Sequence, residues 1–352
     1  MFKVDPDGTV NTCVPGTTRL GNIKETSIQD IVNGPVMQSI RNNLIQDLPD
    51  VNCANCTRLE NGKFGHLRNM YNQQFMDQAI DYTRNHFTLS AVDLQWSSTC
   101  NLRCVMCWAK QSSAIAQEQR MPILTTRESE VEELTNWIVT QQYSLKEIYI
   151  SGGEPTLIKH NLRLLQQLDK SNDLLLRVNT SLMFERNNPI MQQVLQFPNI
   201  EITVSTDASR DQFEYIRYGA DYKKFLETLS WLKTTHAQLR MNFVFFVATA
   251  TQLISNIKEF KDMGIQDFTI NDVAAQPALQ ARNMPDNTKQ QLIEQYSAEI
   301  ARDLTDTALV GQLTNCIAEL KQPNNGLSYV DYFNDIDRKH CTNWRTTFPE
   351  LV

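Results

Sequence analysis

From about residue 90 the chain alternates short apolar runs with longer amphipathic ones. The runs Ala91–Ser97, Glu147–Ser151, Leu174–Thr180, Ile200–Thr206, Arg240–Val247 and Asp267–Asp272 read as strands. Between them, the stretches near 127–141, 157–169, 187–196, 221–235 and 252–263 carry the apolar spacing of helices that face a core. Strand–helix units in this succession predict parallel pairing through right-handed crossovers. The expectation is therefore an α/β fold, a partial (β/α)6 barrel with its site at the C-terminal ends of the strands. Residues 1–75 break the pattern: turns at Asp5-Pro6-Asp7-Gly8 and Gly21-Asn22 flank a helix from about Ser27 to Asn43, which Gly34 and Pro35 interrupt. Residues 276–352 read as a helical C-terminal segment. The expected domains are thus a small module (1–75), a barrel (90–275) and a helical segment (276–352).

Composition narrows the function more than the fold. With 41% hydrophobic and 21% charged residues, 12 Gly and 12 Pro, the 352-residue chain is globular rather than fibrous or disordered. Its 33 basic against 40 acidic side chains give a net charge of −7, and no long Lys/Arg run offers a track for a phosphate backbone, so nucleic acid is not an expected partner. The longest apolar runs, such as Phe243 to Ala248, fall far short of the roughly 20 residues of a bilayer span. Met1–Val10 lacks the apolar stretch of a signal peptide, so a cytoplasmic protein with no membrane partner is expected.

Eight cysteines in such a chain point to metal rather than disulfides, and they are clustered. Cys100, Cys104 and Cys107 form a C-x3-C-x2-C spacing just after the first barrel strand. Three thiolates this close can hold three corners of an iron–sulfur cubane and leave one iron open, whereas a structural zinc site usually takes four protein ligands. A zinc knuckle remains the alternative on spacing alone. Cys13, Cys53 and Cys56 lie in the small module, whose low apolar content suits a metal staple, and zinc would serve there too.

The C-x3-C-x2-C loop resembles the signature of the radical S-adenosylmethionine (radical SAM) superfamily, whose TIM-like partial barrel carries further motifs at later strand ends. Ser151-Gly152-Gly153-Glu154-Pro155 resembles the superfamily's GGEP motif, although such a run also suits a plain strand-to-helix turn. Ser205-Thr206-Asp207, followed by Tyr215-Ile216-Arg217, resembles its S-x-D…(Y)IR stretch. The resemblance implies a [4Fe–4S] cluster on Cys100, Cys104 and Cys107 and S-adenosylmethionine as second cofactor. It makes Gly152, Gly153, Glu154, Ser205 and Arg217 cofactor contacts, the last two for ribose and carboxylate; read without it, Ser205 is a turn residue and Arg217 a solvated one. Asn179-Thr180, ending the third strand, is a weaker polar candidate. Where many members place an aromatic residue before the third cysteine, this chain has Met106, with Trp108 just after.

Cys13, the Gly21-Asn22-Ile23 turn, Ser27–Asn33, Met37-x2-Ile40-Arg41 and the Cys53/Cys56 pair are similar to the SPASM or twitch auxiliary-cluster module, here placed before the barrel instead of after it. The resemblance implies an auxiliary iron–sulfur cluster, for which only three cysteines are evident. Cys316, Cys341 (beside His340), a substrate or a residue upstream of Met1 would complete it.

The activity implied is an oxidoreductase that reductively cleaves S-adenosylmethionine to a 5′-deoxyadenosyl radical, which takes a hydrogen atom from substrate. Relatives with SPASM modules modify peptides, protein side chains, sugars and other small molecules, with a peptide or protein side chain modestly favoured here. The implied electron donor is a flavodoxin or ferredoxin. The rival is a non-catalytic, zinc-binding barrel that acts as a binding module. No Walker loop, G-x-S-x-G elbow or H-E-x-x-H motif supports a kinase, hydrolase or zinc-protease reading. His66, His86, His160 and His236 have no ligand-like spacing.

Overall fold

The strand Leu175–Thr180 alternates buried and part-buried side chains, whereas Ala91–Leu94 is buried throughout. In the computed structural model, residues 1–13, 18–46, 48, 50–53, 71, 87–171, 173–273 and 275–352 are described. Among them the strands are β1 (Phe2–Val4), β2 (Thr9–Asn11), β3 (Arg19–Asn22), β4 (Ala91–Leu94), β5 (Arg103–Cys104), β6 (Glu147–Ile150), β7 (Leu175–Thr180), β8 (Asn199–Ser205), β9 (Arg217–Tyr218), β10 (Gln238–Phe245) and β11 (Asp267–Asp272). The described chain divides into two compact units.

The first unit comprises Met1–Thr99, Leu124–Val178 and Pro189–Ile200. Its sheet runs β3-β2-β1-β4-β6-β7, with β1, β4, β6 and β7 parallel and β2 and β3 antiparallel additions. Val92, Leu94, Ile148, Ile150, Leu176 and Val178 are buried on the strands. Val131, Leu134 and Ile138 of helix Glu128–Thr140 and Leu164 and Leu165 of helix Lys159–Gln167 are buried as well, as the helical spacing requires.

The sequence marks no strands in the small N-terminal module, and among the described residues the structure adds three. Phe2, Val4 and Val10 are fully buried, and β1 pairs Phe2↔Val92 through Val4↔Leu94, so the first residues extend the parallel sheet. Strands of three or four residues are too short to show a period-2 pattern in sequence. The interrupted helix was legible: Ser27 caps Ile28–Asn33 by accepting from Asp30 N at 3.2 Å, Gly34 ends it, and Pro35 opens Pro35–Ile45.

Asp93 lies on β4 and is fully buried. Its Oδ1 accepts from Ser151 Oγ at 2.8 Å and its Oδ2 from Gln95 Nε2 at 3.2 Å. Burial nevertheless pushes the carboxyl up to about 7, against the pull of Ser151, Lys3 and Gln95 and with help from Asp5. In the unfolded chain it returns to about 4. The folded state therefore keeps a proton that the unfolded chain has lost, and the stability linked to it is complete below about pH 4 and lost as pH rises through about 7. Asp93→Asn should remove up to about 4 kcal/mol of that slope, measured by urea denaturation between those pH values.

The second unit comprises Cys100–Ile123, Asn179–Asn188 and Glu201–Val352. Here β8, β10 and β11 pair in parallel, and β5 and β9 form a short antiparallel ladder. Phe243 meets Phe260 of helix Leu253–Asp262, with ring centroids 6.1 Å apart, and Phe213 meets Phe225 of helix Tyr222–Leu232 at 4.8 Å. β10 stops at Phe245, short of the expected Val247, because Thr249 Oγ1 donates to Val244 O at 2.7 Å and accepts from Phe246 N at 3.0 Å, which turns the chain into Val247–Ala250. Helices Asp286–Arg302, Thr307–Leu320 and Tyr329–His340 bear out the helical C-terminal segment.

Candidate functional site

In the first unit the glycine motif is held against the end of β4 by main-chain bonds. Gly153 N donates to Ser97 O at 3.1 Å, and Glu154 N donates to Thr99 O at 2.7 Å. Gly152 takes φ +107°, a conformation open to glycine and strained for other residues. A Cβ on Gly153 would stand 2.2 Å from Thr99 O. Glu154 is buried, and its Oε1 accepts from Thr156 N at 3.2 Å and Thr156 Oγ1 at 2.8 Å, so it caps the turn Pro155–Leu157.

Asn161 ties this turn to the strand end. It is fully buried, accepts from Trp96 Nε1 at 2.7 Å and donates to Pro155 O at 2.9 Å. Asn161→Leu would leave both partners buried without a bond, so a loss of about 2–4 kcal/mol is expected in chemical denaturation. That exceeds the effect of an ordinary surface change.

In the N-terminal residues, Cys13 and Cys53 are both half-buried. Cys53 ends the turn Val51–Cys53, with its N bonded to Asp50 O at 2.9 Å; Asp50 accepts from Asn43 Nδ2 and Asn52 N, both at 2.8 Å. Cys56, His66 and His86 lie outside the described residues.

In the second unit Cys100, Cys104 and Cys107 are half-buried on one loop whose backbone is tied on several sides. Ser113 Oγ donates to Cys100 O at 2.9 Å and accepts from Cys100 N at 3.0 Å, and Ser112 Oγ donates to Leu102 O at 2.7 Å. Cys104 pairs with Arg217 in the β5–β9 ladder, and Val105 N donates to Ile216 O at 2.8 Å. From the C-terminal segment, Tyr332 Oη donates to Val105 O at 2.7 Å and Gln276 Nε2 donates to Cys107 O at 2.9 Å. Two sulfurs receive N–H groups, Cys100 from Leu102 N at 3.5 Å and Cys104 from Arg217 Nη1 at 3.9 Å. Burial pushes the Cys107 thiol up to about 12, with the neighbouring Cys104 adding to the shift, and burial raises Cys104 too.

Arg217, which the sequence also allowed as a solvated residue, is buried. It donates from Nε to Thr206 O at 2.8 Å and pairs through Nη2 with Asp207 Oδ2 at 2.6 Å. Burial works against its charge, but Asp207 and then Cys104 outweigh burial and hold its pKa above the ordinary value. Asp207 is itself fully buried and accepts Val244 N at 2.7 Å. Ser205 Oγ donates to Asn179 Oδ1 at 2.8 Å, which brings those two candidates together. Trp108 is exposed and Met106 buried.

Cys316 is buried in its helix, and Cys341 is exposed at a left-handed helix end, φ +56°. His340 bonds through Nε2 to Glu118 Oε1 at 3.1 Å, its ring stacked on Tyr218. Among the described residues no three His, Cys, Asp or Glu side chains stand close enough to hold a single metal ion. No helix among them is long and apolar enough to cross a membrane.

Asp207, Gln276 and Tyr332 were not singled out from sequence as site residues. The S-x-D spacing held the signal for Asp207. Gln276 and Tyr332 reach the cysteine loop from 169 and 227 residues away, and no local pattern marks such contacts.

The geometry defines a sulfur-rich loop after β4 and a glycine turn after β6. The radical SAM superfamily model matches residues 94–273, more than half of the chain, and this chain belongs to that superfamily. Residues 1–57 match the SPASM iron-sulfur cluster-binding domain. Its cofactors are accordingly a [4Fe–4S] cluster and S-adenosylmethionine, with an auxiliary iron–sulfur cluster for the SPASM part. No curated protein matches the chain. Among solved structures, native anSMEcpe with bound AdoMet is 15% identical with a TM-score of 0.46, over 61% of this chain and 62% of that one. SuiB of Streptococcus suis is 13% identical with a TM-score of 0.46, over 86% of this chain and 68% of that one. The chain therefore matches less than two thirds of the length of anSMEcpe, and both likenesses are distant.

The cysteine loop suits an iron–sulfur cluster. Its donor set is soft sulfur, two of the three sulfurs already receive N–H groups, and thiols pushed up by burial need a bound cation's charge before they ionise.

Proposed function

We propose that this chain is a radical SAM oxidoreductase in which Cys100, Cys104 and Cys107 hold the [4Fe–4S] cluster. When bound, the cluster and S-adenosylmethionine supply a 5′-deoxyadenosyl radical able to take a hydrogen atom from substrate. The chain's own residues bind and orient. Gly152 and Gly153, lacking side chains, let main-chain carbonyls approach the cofactor's ammonium, and Glu154 anchors that turn through Thr156. Ser205, beside Asn179, serves the ribose. Arg217 has three groups engaged within the protein, and its remaining N–H groups serve the carboxylate.

Cys13, Cys53 and Cys56 hold the auxiliary cluster of a module over residues 1–75; the barrel spans 90–275 and the helical segment 276–352. The substrate is a peptide or protein side chain, the electron comes from a flavodoxin or ferredoxin, and the enzyme is cytoplasmic. The observation that carries the reading is the three-cysteine loop, with N–H groups on two of its sulfurs, inside the family match.

Anaerobic reconstitution tests it. Brown protein with roughly four irons per cluster that releases 5′-deoxyadenosine on reduction is expected. Colourless protein with stoichiometric zinc and no cleavage would overturn it in favour of a zinc-binding module.

A further inference from the structure

We propose that Arg217 is a positioning residue for the Cys104 sulfur and, through it, makes the cluster at that cysteine easier to reduce. This rests on the assignment of Cys104 as a cluster ligand. The main chain sets the pairing, since Cys104 and Arg217 face each other in the β5–β9 ladder and Val105 N bonds to Ile216 O at 2.8 Å. The side chain completes it, with Nη1 donating to Cys104 Sγ at 3.9 Å.

The guanidinium is anchored so that this donor stays aimed. Nε is bonded to Thr206 O at 2.8 Å, and Nη2 is paired with Asp207 Oδ2 at 2.6 Å. Asp207 is in turn fixed by Val244 N at 2.7 Å and holds a left-handed backbone, φ +78°. Few non-glycine residues adopt that conformation. A buried ion pair is also poor evidence for stability, because desolvation of both charges offsets their attraction. An expensive arrangement that directs an N–H at a ligand sulfur is what tuning of that sulfur requires.

The redox step is simple. One electron passes from an external one-electron donor of the flavodoxin or ferredoxin class to the cluster, with no proton moved and no bond broken. The cluster gains one negative charge, which a nearby cation and an N–H donor on its sulfur stabilise, so the reduction potential rises.

The test is a redox titration of the full reconstituted chain, followed by electron paramagnetic resonance, with iron counted in every sample. The cluster at Cys104 is the one whose signal is missing in Cys104→Ala. At a potential where the wild-type cluster is half reduced, Arg217→Gln should show about a tenfold lower ratio of reduced to oxidised cluster, equal to about 59 mV for one electron. Arg217→Lys keeps the charge without the planar fork and should fall between the two.

Full iron with an unchanged ratio in Arg217→Gln overturns the proposal. Should Arg217→Gln fail to load iron, Arg217→Lys decides: full iron with a lower ratio supports the proposal, whereas an unchanged ratio or lost iron overturns it. If the wild-type chain carries no more iron than Cys104→Ala, it is the cluster assignment that fails.

Discussion

Cys104→Ala should lose about four irons per chain and, with them, all detectable cleavage of S-adenosylmethionine. Three cysteines hold the proposed cluster, and Cys104 is the one whose backbone is set in a strand pair and whose sulfur faces Arg217. Its loss removes a ligand that Ser112, Ser113 or Tyr332 has no chemistry to replace. The side chain is only half-buried, so the fold itself should lose no more than about 1 kcal/mol. Cys316→Ala provides the contrast. That cysteine is buried in helix Thr307–Leu320 and should affect stability while leaving the cluster at Cys104 and its cleavage of S-adenosylmethionine intact. Iron analysis and chromatography of 5′-deoxyadenosine check both. Cleavage that survives in Cys104→Ala would refute the ligand assignment.

Among the described glycines of the first unit, Gly153→Ala should be the most damaging methyl addition. The new Cβ would meet Thr99 O at 2.2 Å, Thr99 C at 2.6 Å and Ser98 C at 2.7 Å, all main-chain atoms. Nothing there can swing aside, unlike at Gly21, where the obstacle is the Ile31 side chain. Relief requires breaking the bonds Gly153 N–Ser97 O and Glu154 N–Thr99 O, so a loss of about 3 kcal/mol or more is expected. The measurement is the urea midpoint against wild type. A change within about 0.5 kcal/mol would mean that the turn is not held against the strand end.

Much of this was legible in the sequence, and the reason differs from element to element. β6, β7 and β11 appear within a residue of their expected bounds, because each carries aliphatic, β-branched or aromatic residues in a short run that ends at polar or turn residues. β4 ends at Leu94 instead of Ser97. Gln95 N still reaches Val4 O of β1 at 2.8 Å, but from Trp96 on the chain bonds to other groups, Trp96 O accepting from Thr126 N at 2.8 Å and Trp96 Nε1 reaching Asn161. Tertiary bonds of that kind have no counterpart in local periodicity.

The candidate site shows the same division. The cysteine and glycine motifs are runs of neighbouring residues, so spacing alone displays them. Burial of Arg217 was not legible, because the residue that balances its charge, Asp207, lies ten positions earlier in another element. Asp93 was passed over for a similar cause. One carboxylate in an apolar run gives no hint that Ser151, 58 residues away, will bond to it.

The ties from Gln276 and Tyr332 to the cysteine loop have a consequence for biosynthesis. Tyr332 is added to the growing chain 225 residues after Cys107 and 227 after its partner Val105. Until Gln276 and Tyr332 are made, the nascent loop has its ties to Ser112, Ser113 and Ile216 and lacks the last two restraints. A cluster loaded before Gln276 and Tyr332 are in place would enter a cradle that still lacks two of its ties.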